Sequence, residues 1–248
     1  MRNPKFYLST ILSAVLAAGT TFAGTRTPDS QTTAAIEAKI YHSGAFKSGD
    51  VQVSYQGGVA TLSGTVDNLG SKLDAERAAR KVRGVTQVVD NILVRADDVS
   101  ERQILEQARH QVVMYYAYSI FDNLQLEAQG NNLIVSGQVT QPFKKTDIGN
   151  LLTRVRGVAS VENRLEVLPN SLFDDQLRAQ ISRAIYRDPY FIHYADQALP
   201  PIHIIVKNSN VTLEGIVATP LDRAKAEIAA RTAGLSFAVV DNLRVERS

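Results

Sequence analysis

The chain has 248 residues, 44% hydrophobic and 21% charged, with 27 Lys and Arg against 25 Asp and Glu. Two of the cations, Arg2 and Lys5, lie at the N-terminus. Beyond residue 23 the signs balance in every third: nine of each over 24–98, seven of each over 99–169 and nine of each over 170–248. That balance argues against nucleic acid, whose binders depend on clustered positive charge, and against a purely electrostatic grip on anionic lipid. The absence of cysteine rules out disulfides, a thiol nucleophile and a lipid-modified cysteine behind a leader.

In chain order, the first segment has the three-part layout of a secretory signal peptide. Arg2 and Lys5 precede an apolar run from Phe6 to Ala18, and Thr21-Phe22-Ala23 makes a small-x-small cleavage site. The run is shorter than the roughly 20 apolar residues that a membrane anchor needs. Cleavage after residue 23 predicts a soluble, exported and periplasmic chain with no transmembrane span.

A helix is expected over about 31–43, and then "VQVSYQGGVATLSGTV" (51–66) alternates apolar residues on either side of Gly57-Gly58, the pattern of a hairpin with a tight turn. Asn68 reads as the N-cap of a second helix. Its buried stripe is Ala75, Ala78, Ala79 and Val82, and Gly84 stands at its expected C-terminal cap. "VVDNILV" (88–94) closes the unit as a strand.

The same order follows twice more. A helix over about 101–117, with Ser100 and Gln103 as a capping pair, leads to a hairpin turning at Gly130-Asn131-Asn132 and ending in "LIVSGQV" (133–139). Gln141 and Pro142 open the next helix, with the stripe Ile148, Leu151, Leu152 and Val155, then Gly157 and the strand "VENRLEV" (161–167). In the third unit a helix over about 172–187, capped by Ser171 with Asp174, precedes a longer connection ending in Pro200-Pro201. The hairpin turns at Asn208-Ser209-Asn210 and ends in "VTLEGIV" (211–217). After it come Thr219, Pro220, the stripe Ala226, Ala229, Ala230 and Ala233, then Gly234 and "VVDNLRV" (239–245).

Adding 73 carries the first copy onto the second and adding 78 carries the second onto the third, with a one-place slip at Gly234. An internal repeat at this many positions sets the architecture. The fold class is α+β: three tandem α-β-β-α-β units over 28–95, 100–168 and 171–247, each a three-stranded mixed sheet with two helices on one face. Gly64, Gly137 and Gly215 end the second strand of each hairpin, where a missing side chain permits close approach or a bulge. These three and Gly84, Gly157 and Gly234 are read as structural.

The element order, the "LxGxV" strand, the later glycine and the closing "V-x-[DN]-x-[LI]-x-V" resemble the BON domain family, in three copies behind a signal peptide where its OsmY-type members usually have two. The resemblance implies an osmotic-stress-type envelope protein that binds phospholipid or envelope partners, with no catalytic residues to carry over. Family members bind head groups through a helix-centred face, but no local motif transfers that role to a particular residue.

No catalytic, metal or cofactor motif is present. His42, His110, His193 and His203 lack metal-ligand spacing, and only a loop that folds back would bring His193, Asp196 and His203 together. Asp74 with Glu76 and Asp174 with Asp175 read as solvated helix-start residues. The aromatics are uneven: Tyr115, Tyr116, Tyr118 and Phe121 in the second copy, Tyr186, Tyr190, Phe191 and Tyr194 in the third, and Tyr41 and Phe46 in the first. The leading reading is that the rings fill cores and inter-copy contacts, which small units need. The functional reading makes Tyr115, Tyr116, Tyr118, Phe121, Tyr190, Phe191 and Tyr194 a membrane or partner contact. The partner is a phospholipid surface or, alternatively, an envelope protein bound in an adaptor or chaperone-like role.

Overall fold

Each hairpin closes on two residues, the first of which holds a positive φ: Gly57, Gly130 and Asn208. In the computed structural model, which describes residues 28–45, 49–95 and 99–246, Gly57 and Gly58 have φ of 55° and 92°, and Asn208 and Ser209 have φ of 51° and 65°. The expected signal peptide at 1–23 and Phe46 lie outside the described residues. The first repeat runs α1 (Pro28–Ser43), β1 (Gly49–Gln56), β2 (Val59–Val66), α2 (Leu69–Arg80) and β3 (Gln87–Val94). The second runs α3 (Glu101–Val113), β4 (Asn123–Gln129), β5 (Asn132–Val139), α4 (Pro142–Leu152) and β6 (Ser160–Val167). The third runs α5 (Leu172–Tyr186), α6 (Ile192–Ala195), β7 (Ile202–Lys207), β8 (Asn210–Val217), α7 (Pro220–Thr232), β9 (Ala238–Asp241) and β10 (Arg244–Val245). A 3-10 turn at Pro189–Phe191 leads into α6.

In every sheet the middle strand pairs antiparallel with the first and parallel with the last. The parallel register repeats: Val59 faces Gln87, Asn132 faces Ser160 and Asn210 faces Ala238, a 28-residue offset each time. The third closing strand is not the single strand expected. It splits into β9 and β10 at Asn242 and Leu243, and both pieces pair with β8 in that register. The helical stripes cover the sheets: Ala75 and Ala79, Ile148 and Leu152, and Ala226 and Ala230 are fully buried in three separate cores.

The repeated glycine has a steric cause. Gly64, Gly137 and Gly215 have φ of 112°, 114° and 126°. A β-carbon at these places would lie 2.1, 2.1 and 1.9 Å from the carbonyl oxygens of Asp50, Asn123 and Pro201. The other three glycines are not the helix caps expected of them. The caps are Lys81, Thr153 and Ala233, and the left-handed Gly84 and Gly157 lie in the turn beyond. Gly234 lacks a positive φ and packs against Leu177 and Gln180.

The repeats are joined by two different seams. At the first, the N–H groups that open α2 meet carbonyls of the C-cap of α4 and of the turn beyond it. Leu69 donates to Val158 at 2.9 Å, Gly70 to Thr153 at 2.8 Å, and the Gly157 N–H returns a bond to Asp67 at 2.8 Å. Arg154 pairs with Asp74 at 2.5 Å alongside. These contacts join the positive end of one helix to the negative end of another.

The second seam is built on Asp122, which is fully buried. Its carboxylate accepts five hydrogen bonds, from the N–H and hydroxyl of Ser119, the N–H and hydroxyl of Thr140 and the Lys144 ammonium at 2.7 Å. Its carbonyl accepts from Nδ1 of buried His203 at 2.6 Å, and the Ile204 N–H donates to Ile120 at 2.7 Å. Lys207 of the third repeat pairs with Glu166 of the second at 2.5 Å. Burial pushes the His203 imidazole below its ordinary value, against the pull of the Asp122 carbonyl and charge.

Two outcomes follow from this geometry. Gly137→Ala is expected to cost about 3 kcal/mol, strain plus steric overlap, whereas Gly130→Ala, with φ of 58° and open space around it, should cost only about 1 kcal/mol. Urea titration of the two variants measures the contrast. For His203 the folded value lies below the unfolded one, so its contribution is complete above the ordinary value of 6.5. That contribution is lost as pH falls through the folded value. The urea midpoint should therefore drop on acidification below about 6.5, and His203→Asn, whose amide nitrogen stands at the place of Nδ1 and keeps a donor for the carbonyl, should flatten that drop.

Candidate functional site

Helix α3 ends at Val113 and not at 117, so Met114, Tyr115 and Tyr116 leave the helix in turns and point in different directions. Tyr115 goes inward: it is buried, and its hydroxyl donates to Asp147 of α4 at 2.7 Å. Burial first, and then the bond to the Asp147 carboxylate, raise its hydroxyl above the ordinary tyrosine value. Tyr116 goes outward and is 87% exposed, beside Met114 at 69%. Its ring meets the edge of the Tyr115 ring at a centroid distance of 5.1 Å.

Together these residues wall a groove of 480 Å³ between the end of α3 and the outer face of α4. Gln111, Met114, Tyr115 and Tyr116 form one side, and Asp147, Asn150, Leu151 and Arg154 the other. Asp147, Asn150 and Leu151 share one face of α4, and Arg154 follows just past its C-cap. Half-exposed Phe143 lies one turn before Asp147 on the same helix, and exposed Val113 adjoins Met114. Arg154 closes the far end through its pair with Asp74 of the first repeat. The groove is thus apolar at its rim, with a carboxylate and an amide along α4 and a guanidinium just past its end, a layout suited to an amphiphile.

The other aromatics expected to form a contact surface lie elsewhere, and for most of them the structure corrects the surface reading. Tyr118 stacks on His203 at 5.7 Å in the second seam, and Phe121, partly buried, packs against the third repeat's core. Phe191 and Tyr194 are core residues of the third repeat, and the Tyr194 hydroxyl donates to Asp222 at 2.8 Å. Tyr190 donates to the other Asp222 oxygen at 2.6 Å, with the Lys225 ammonium 4.4 Å from its ring centre. Burial pushes the Asp222 carboxyl up, but the bonds from Tyr190, Tyr194 and Thr219 outweigh it, so it lies below the ordinary value. Only Tyr116 of the seven is exposed.

Sequence reasoning missed Met114, Asp147, Arg154 and Phe143. A signal was available for Met114, which is one of two methionines and falls off the apolar stripe of Ile104, Ala108 and Val112. It also misplaced Asp174, which is buried rather than solvated; its carboxylate accepts the N–H groups of Asn208 and Ser209 at 2.9 Å each. Among the described residues no group of three or more His, Asp or Glu is placed to hold a metal, and no helix is long and apolar enough to cross a membrane.

The chain matches the family described as the BON domain over residues 28–96, 117–169 and 173–247. No curated protein sequence matches it. Among solved structures, the C-terminal domain of CdsD, a structural protein of the Type III secretion system of Chlamydia trachomatis, is 13% identical with a TM-score of 0.26. That alignment covers 85% of this chain and 96% of that one. The PrgH periplasmic domain is 13% identical with a TM-score of 0.22, covering 80% and 95%. At this identity and these scores, neither likeness bears on function.

Within the groove, Tyr115→Phe removes one bond to a half-buried carboxylate and is expected to cost about 1 kcal/mol. The groove walls should remain in place, which comparison of urea midpoints with near-ultraviolet circular dichroism reads directly.

Proposed function

The chain belongs to the BON domain family as three tandem segments, and on that premise we propose that it is a non-enzymatic periplasmic envelope-maintenance protein, of the osmotic-stress type, that associates with phospholipid membrane surfaces. The observation that carries this reading is the exposed Met114 and Tyr116 at the rim of the 480 Å³ groove. A flexible thioether and an amphipathic ring are suited to the boundary between acyl chains and head groups, and the polar face of α4 below them gives a head group donors and an acceptor. The even charge balance beyond residue 23 favours a reading in which apolar insertion contributes more than long-range attraction. The second repeat is the favoured site. The equivalent helix face of the first repeat, lined by Lys39, His42, Arg77 and Lys81, is more basic and carries exposed Tyr41 at the place of Met114, with Ser43 where the second repeat has Tyr116.

Flotation of the purified protein with anionic and neutral phospholipid vesicles across a salt series tests the reading. The wild type should float with both and resist salt. Met114→Ser with Tyr116→Ser, both exposed and so neutral for folding, should lower the partition coefficient about tenfold or more. Equal flotation of the double variant would remove the groove as the contact. A wild type that stays at the bottom would sink the lipid reading and turn the search to an adaptor role with an envelope protein.

A further inference from the structure

The end of the second repeat that receives the first is made of the α4–β6 turn and the head of α3. Its Thr153 and Val158 carbonyls take the α2 corner, and Gly157 leaves room for Val99, which would lie 2.9 Å from a β-carbon there. The third repeat has a related end, with α7 running two residues further than α4 and the left-handed Gly157 replaced by Leu235. The Ala159 N–H donates to Asn131 at 2.9 Å, and 78 residues later the Phe237 N–H donates to Ser209 at 3.0 Å. On the third repeat this end is open. Where the second repeat has Gly157 and Ala159, it presents Leu235 and Phe237, 84% and 85% exposed. Leu172, 81% exposed, and half-exposed Phe173 stand at the head of α5, and Phe173 and Leu235 share a cleft of 200 Å³. Several large apolar side chains left in water at one end mark an association surface.

The complementary surface can be traced the same way. Leu69 and Gly70 of the α2 corner correspond to Pro142 and Phe143 at the start of α4, and to Pro220 and Leu221 at the start of α7. Proline has no N–H to repeat the Leu69 bond, so these corners can make only a more apolar joint, which the Leu235 and Phe237 end offers. The α4 corner adjoins the second seam, where the Thr140 N–H is held by Asp122. At the α7 corner Thr219, Pro220 and Leu221 are all exposed. The even charge of each third also means that copies of the chain do not repel one another.

We propose that the chain self-associates head to tail, the Pro220–Leu221 corner of one copy seating on the Leu235 and Phe237 end of a second. The joint sets a helix-start corner on a repeat end as the first seam does, with apolar contact in place of that seam's main-chain bonds. Because the two surfaces differ, the contact is heterologous and either adds further copies or closes into a ring.

Sedimentation velocity of the purified protein from about 1 μM to about 1 mM tests this, beside Leu235→Ser/Phe237→Ser and Leu221→Ser, each checked by circular dichroism. The wild type should form dimers and larger species as concentration rises. Each variant should stay monomeric, with its apparent dissociation constant raised about tenfold or more. An equimolar mixture of the variants has one intact end and one intact corner per pair, so it should recover dimers and stop there. A wild type monomeric throughout, variants that assemble like it, or a mixture that stays monomeric would overturn the proposal. A monomeric wild type whose vesicle flotation is lost in Leu235→Ser/Phe237→Ser would assign this end to lipid instead.

Discussion

In each repeat the middle strand lies between an antiparallel and a parallel neighbour, and at one register position the antiparallel neighbour's carbonyl occupies the space of a β-carbon. The chain meets this with glycine at residues 64, 137 and 215 and takes up a left-handed conformation there. The close approach falls two residues before the strand ends, where the chain must leave the sheet and turn back over it as a helix. The helix start, the face it covers and the parallel pairing of the last strand all follow from that exit. The constant 28-residue offset in three sheets of different sequence is a consequence of holding one exit geometry.

The two seams show that the repeats are not interchangeable. The first is mostly main-chain and relies on Leu69 and Gly70 supplying N–H groups where the later copies have proline and a bulky residue. The second depends on a buried carboxylate that organises Ser119, Thr140, Lys144 and, through its carbonyl, His203. An ion pair out of water is costly unless every remaining bond is made, and Asp122 makes them. The same carboxylate and the charge it carries fix the connection after α3, whose other end bears Met114 and Tyr116. The groove is therefore positioned by both seams, by Arg154 and Asp74 on one side and Asp122 on the other.

Element order, repeat period and helix faces were legible in the sequence because they are local: two-residue turns, alternation in strands, alanines at helical spacing. The Ser100 and Gln103 box formed as spaced. The candidate site was legible only as a region. Tyr115, Tyr116 and Tyr118 look alike in sequence and end in a core, in water and in a seam, because turns after α3 rotate each ring differently. Asp174 sits where an N-terminal acid commonly faces solvent, and its role depends on a turn more than 30 residues away. Gly234 shared its motif with Gly84 and Gly157, but the longer α7 moved it off the left-handed position.

The dependence of the third hairpin on Asp174 bears on the order in which the chain folds. The first hairpin turns on Gly57 and Gly58, which reach positive φ without help, so it can close by itself on the microsecond scale of isolated hairpins. The third turns on Asn208 and Ser209, whose strained backbone is held by a carboxylate 34 and 35 residues earlier in the chain. It gains that support only after α5 has docked, and the loop-closure entropy must be met first. The first repeat can thus nucleate from its hairpin outward, while the third must bring helix and hairpin together in one cooperative step.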